Sequence, residues 1–119
     1  MLAQYQAITS MKNAANVVLV LVTAPDLKVA RRLARAVLED RLIACANLVP
    51  RIESLYWWQG RTENSREVLI VMKTTTGRLS ALEKRVVELH PYDTPEILAV
   101  PVRSGMPAYL AWLKKSVCS

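Results

Sequence analysis

Apolar residues follow three different spacings along this chain, and the spacings divide it into elements. Residues 17–22 are an unbroken aliphatic, β-branched run closed by Thr23-Ala24-Pro25, the pattern of a strand. Asp26 then stands where a helix cap belongs. Leu27, Ala30, Leu33, Ala34, Val37 and Leu38 follow at helical spacing, with Lys28, Arg31, Arg32 and Arg35 opposite, so a helix is predicted that ends near Arg41. Residues 42–58 read as a long strand interrupted by Pro50, Gln59-Gly60-Arg61 as a turn, and residues 67–75 as a returning aliphatic strand. Gly77 breaks that pattern. Leu79, Leu82, Val86 and Leu89 then repeat at 3-4-3 spacing, a second helix with one narrow apolar stripe. Residues 96–102 give a last strand, and residues 106–116 a short helix with Leu110 and Leu113 on one face.

The predicted order is β-α-β-β-α-β followed by a terminal helix, an α+β chain of ferredoxin-like topology. The prolines provide an independent check. In this topology the second and fourth strands lie at the sheet edges, where proline is tolerated. Pro50 and Pro101 fall in those two strands, and the predicted central strands contain none. No repeat, low-complexity run or linker interrupts residues 17–116, which form one domain. Residues 1–16 carry one charge, Lys12, and no apolar segment before a cleavage site, so a flexible leader is expected there and not a secretory signal.

The strands are apolar on both faces: Val17, Leu19 and Leu21 alternate with Val18, Val20 and Val22, and Val68, Ile70 and Met72 with Leu69 and Val71. Such runs belong to a sheet covered on both sides. Two helices cover only one face of a four-stranded sheet. Leaving four Val or Leu side chains of the other face in water would forgo roughly 6–12 kcal/mol, comparable with a whole domain's net stability of about 5–15 kcal/mol. A second copy of the chain is the simplest cover. The hairpin points the same way, because residues 45–58 would reach roughly 45 Å at about 3.3 Å per residue and carry Tyr56-Trp57-Trp58 at the tip. An arm gripping a neighbouring subunit would bury that tip.

Composition narrows the class. The chain has 119 residues, 52% of them hydrophobic, which excludes a disordered protein and allows one real core. No apolar stretch approaches the roughly 18–20 residues needed to span a bilayer. Cys45 and Cys118 make no disulfide framework and are expected as reduced thiols in a cytoplasmic protein. The net charge of +6 permits nucleic-acid contact, but an RNA-recognition module needs aromatics on its central strands. Residues 67–75 are aliphatic and the chain has no Phe, so no nucleic acid partner is expected. No serine or cysteine sits in a nucleophile setting, and three glycines make no phosphate loop, so the chain does not read as an enzyme.

The most informative segment is His90-Pro91-Tyr92-Asp93-Thr94-Pro95-Glu96, which holds the only histidine between two stiffening prolines. His90 reads as a metal ligand, as a pocket residue, or simply as a histidine favoured by a helix C-terminus. Cys45 reads as a small buried hydrophobe or as a ligand. Asp93 reads as a turn residue, despite Glu96 nearby.

Together with Thr23-Ala24-Pro25-Asp26, residues 44–50 (ACANLVP), residues 54–60 (SLYWWQG), Glu67, Lys73-Thr74 and Tyr109-Leu110-Ala111-Trp112, this ordered set resembles the CutA family of divalent-cation tolerance proteins over roughly residues 17–113. The resemblance implies a PII-like, interlocked homotrimer in the cytoplasm, with a role in tolerance of copper and other divalent cations by binding. It implies a copper site built from a cysteine and two histidines. Those positions correspond here to Val22, Leu89 and His90, so only His90 remains as a ligand type. It also sets the arm and the His90 motif at a subunit interface. There Cys45, Tyr56, Trp58, Glu67, Lys73, Tyr92 and Glu96 would line a pocket or interface suited to a small anionic ligand. The alternative is a PII-like regulatory trimer that binds a small ligand or a protein partner, with metal effects indirect.

Overall fold

The structure is a computed structural model that describes residues 10–118. The elements are β1 (Lys12–Asn13), β2 (Val17–Ala24), α1 (Leu27–Glu39), β3 (Cys45–Trp58), β4 (Arg61–Thr75), a 3-10 turn (Thr76–Arg78), α2 (Leu79–Leu89), β5 (Ile97–Pro101), β6 (Ser104–Gly105) and α3 (Pro107–Ser116). The main sheet is antiparallel in the order β3-β4-β2-β5. This is the ferredoxin-like βαββαβ arrangement with a C-terminal helix, and Pro50 and Pro101 lie on its edge strands.

Local chemistry sets the ends of α1. Asp26 caps it by accepting from the Val29 N–H at 2.9 Å. At the other end, Leu42 N–H bonds back to Val37 O at 3.0 Å and Arg41 N–H to Leu38 O at 3.1 Å. That is a Schellman closure, with Arg41 at φ 60 in the position glycine usually holds. Arg41 reaches from there to donate to Ser116 O at 3.1 Å, which fastens α3 to the loop after α1.

The core lies on one sheet face. Val18, Val20, Val22, Val68, Ile70 and Met72 pack against Leu33 and Val37 of α1 and Leu82 and Val86 of α2. A smaller cluster joins Ala14, Val17 and Ala44 to Leu110, Leu113 and Val117. The leader expected over residues 1–16 is therefore packed at its far end, where β1 pairs with β6 and Ala14 is buried. Residues 1–9 lie outside the described residues.

The opposite face has no helix layer. Leu19, Leu21, Leu69 and Val71 are half-buried at its centre, and Val49, Leu98 and Val100 flank them with 41%, 56% and 41% of their surface exposed. The register aligns Leu98, Leu21 and Val71 in one row and Val100, Leu19 and Lys73 in the next.

The hairpin is longer than its apolar pattern suggested, because β4 begins at Arg61 and not at residue 67. Residues 61–66 are polar and join the strand through the backbone ladder to β3. Gln59 and Gly60, at φ 50 and 76, form the tight turn whose twist suits a hairpin. One irregularity sits midway. Between Val49 and Ile52 the β3 strand carries one residue more than its partner between Leu69 and Glu67, and Arg51 there adopts φ 58. The extra residue reverses the parity of β3. Ile52, Ser54, Tyr56 and Trp58 consequently continue on the face that Cys45, Asn47 and Val49 occupy before it.

Candidate functional site

His90 follows the last residue of α2. Its own N–H closes the helix on Val86 O at 2.8 Å, and Pro91 forces the chain into an extended exit. The side chain is buried, and both ring nitrogens are engaged. Nε2 lies 2.7 Å from the Thr23 carbonyl, and Nδ1 accepts the Tyr92 backbone N–H at 3.1 Å. A carbonyl only accepts, so Nε2 carries the hydrogen and the ring is the neutral tautomer. Neither nitrogen has a free lone pair for a metal while those bonds stand. Among the described residues no group of three or more His, Cys, Asp and Glu is placed to hold a metal ion.

The ring of Tyr92 packs 4.7 Å from that of His90, and its hydroxyl donates to Glu67 Oε2 at 2.9 Å. Burial, and then the Glu67 carboxylate, push the Tyr92 phenol up to about 12. At neutral pH it is a hydrogen-bond donor. A continuous chain thus runs from the β2 backbone at Thr23 through His90 and Tyr92 to Glu67 on β4.

Glu67 opens into a cavity of about 710 Å³ between the hairpin and the loop after α2. Tyr56, Trp58, Tyr92 and Glu96 line it with Glu67, as grouped from the sequence. Tyr56 is held by a 2.6 Å bond between its hydroxyl and that of Ser65. Glu53 and Asp93 add carboxylates that the sequence reading did not place there. Counting back from the Gln59-Gly60 turn pairs residue 56 with 63 and 54 with 65, so Ser65 beside Tyr56 was within reach of the sequence.

Cys45 and Lys73 do not join this group within the chain. They pair with each other across β3 and β4. Six residues of strand separate Lys73 from Glu67, roughly 20 Å at about 3.3 Å per residue. Lys73 Nζ donates to the Asn47 side-chain carbonyl. Cys45 Sγ lies 3.7 Å from the Tyr109 hydroxyl of α3, and that contact raises the Tyr109 phenol. With Lys73 elsewhere, the lining of the cavity contains carboxylates, hydroxyls and aromatic rings but no Lys, Arg or His.

Comparison with known proteins agrees with the resemblance read from the sequence. The family model for CutA1 divalent ion tolerance protein matches residues 18–116. The divalent-cation tolerance protein CutA of Thermus thermophilus is 46% identical over 97 residues, covering 82% of this chain and 94% of the relative. The CutA of Escherichia coli O139:H28 is 47% identical over 105 residues, covering 88% and 93%. Among solved structures, the T. thermophilus protein superposes with a TM-score of 0.82 at 45% identity, covering 84% of this chain and 97% of its own. CutA from Synechococcus elongatus superposes at 0.86 with 34% identity, covering 92% and 97%. Matches of this identity run through both helices, the hairpin and the His90 loop, and the chain belongs to the CutA1 family of divalent ion tolerance proteins.

Proposed function

We propose that this chain serves divalent-cation tolerance, copper included, as a cytoplasmic homotrimer that acts by binding a metal or ligand and not by catalysis. The uncovered apolar face carries this reading. The exposure left on Val49, Leu98 and Val100 forgoes roughly 2–4 kcal/mol per chain, at about 1.5–3 kcal/mol for each fully buried side chain. Association of copies through that face would recover it. The number three and the cytoplasmic setting come from the family resemblance. No helix among the described residues is long and apolar enough to cross a membrane. Light scattering should give three times the 13.3 kDa chain mass, and a monomer at micromolar concentration overturns the reading.

The engagement of both His90 nitrogens favours a second reading, in which the trimer is a PII-like regulator and metal effects are indirect. Calorimetric titration with copper(II) separates the two. Stoichiometric binding that is lost in His90→Ala supports direct metal capture. Absent binding, or binding unchanged in the variant, supports the regulator.

A further inference from the structure

The Glu67 carboxylate is only 9% exposed, yet its one hydrogen-bond partner is the neutral Tyr92 hydroxyl. Among the described residues salt bridges are made by Arg85 alone, with Asp40 and Glu88. Glu67 therefore keeps a buried charge with no cation beside it. That arrangement is unfavourable until a cation meets it.

The cavity before Glu67 is built for such a partner. Its volume of about 710 Å³ lies in the range of small-molecule sites. Glu53, Asp93 and Glu96 give its walls further negative charge, and no basic side chain lines it, although the whole chain carries +6. Tyr56 and Trp58 contribute aromatic surface, and Tyr56 is fixed by Ser65. Aromatic faces attract weakly hydrated organic cations.

A bare divalent ion fits less well. It requires about six oxygens drawn close around one point. Here no cluster of three ligand side chains forms among the described residues, and one Glu67 oxygen is already shared with Tyr92. We propose that this cavity binds a small organic cation, a primary amine or guanidinium compound, with its charged head at Glu67 and its body against Tyr56 and Trp58. The site stands within a single chain and does not depend on the trimer or on the copper reading.

Agmatine, which carries a guanidinium and a primary amine, is a suitable probe, with butyrate as the anionic control. Titration calorimetry at low salt should show saturable binding of agmatine, one per chain, and none of butyrate. Glu67→Gln should weaken agmatine at least tenfold and Trp58→Ala several-fold. Tyr92→Phe, which removes the hydroxyl and leaves the carboxylate, should bind at least as well as the parent. Light scattering of each variant should give an unchanged mass. Absence of saturable binding in the parent, or binding indifferent to Glu67→Gln, overturns the proposal. If agmatine is silent while Glu67→Gln alters the oligomer mass, the cation at Glu67 is a basic side chain of a second copy. That outcome also overturns the small-molecule site. Trp58→Ala, on the exposed arm, keeps the test decisive should Glu67→Gln fold poorly.

Discussion

The bulge at Arg51 is where one residue decides what the arm presents, and it makes a sharp prediction. An L-residue in the left-handed region, as Arg51 is at φ 58, costs about 1–2 kcal/mol relative to its preferred conformations. Glycine escapes that cost but loses about 0.5–1 kcal/mol more in conformational entropy on folding. Arg51→Gly should therefore stabilise the chain by about 0.5–1 kcal/mol. Arg51→Val, β-branched at a positive φ, should destabilise it by roughly 1–2 kcal/mol. Urea midpoints at one fixed protein concentration measure both changes, since self-association makes stability depend on concentration. A glycine variant less stable than the parent, or three proteins with equal midpoints, would refute the strain argument. Deleting Arg51 tests the geometric half. Without the extra residue the outer part of β3 must turn over, and Tyr56 and Trp58 leave the face of Glu67. The bond between the Tyr56 and Ser65 hydroxyls, 2.6 Å in the parent, is then lost. Nuclear Overhauser contacts between the Tyr56 ring and Ser65 should disappear. Their survival would mean that the bulge does not set the parity of the arm.

Three further outcomes are expected. Thr74 is fully buried and donates to Leu42 O at 2.7 Å; Thr74→Val keeps the shape but orphans that carbonyl, and thermal or urea unfolding should show a loss of about 1–3 kcal/mol. Tyr92 should appear in an ultraviolet titration as a phenol near 12. Its folded value is raised, so the stability it adds is complete below about pH 10 and is lost as pH climbs toward 12. In Glu67→Gln the phenol should fall only part of the way back, because burial is the larger cause; a full return, or no change, contradicts that ranking. Leu21→Glu places a charge at the centre of the uncovered sheet face, and light scattering should report a smaller particle than the parent. An unchanged mass would show that copies do not meet through this face.

The fold was legible because its signals are repeated: an apolar run that changes period, a cap at Asp26, prolines confined to edge strands. What the sequence hid depends on backbone. Residues 61–66 carry no apolar alternation, so only their ladder to β3 makes them strand. The two-residue pairing of β1 with β6 leaves no periodic trace at all. The partner of His90 Nε2 is the Thr23 carbonyl, an atom every residue possesses and no motif can advertise. The site divides along the same line. Tyr56, Trp58, Glu67, Tyr92 and Glu96 were grouped correctly, because two short segments carry them and a hairpin register joins Tyr56 to the start of the apolar half of β4. Lys73 was grouped with them by order in the chain, which has no metric; along an extended strand six residues are a distance that no side chain spans. That single misplacement changes the sign of the chemistry. With Lys73 beside Glu67 the cleft would suit an anion. With Lys73 bonded to Asn47 at the far end of the sheet, the cavity of a single chain is left with its carboxylates, and the electrostatic demand falls on a cation.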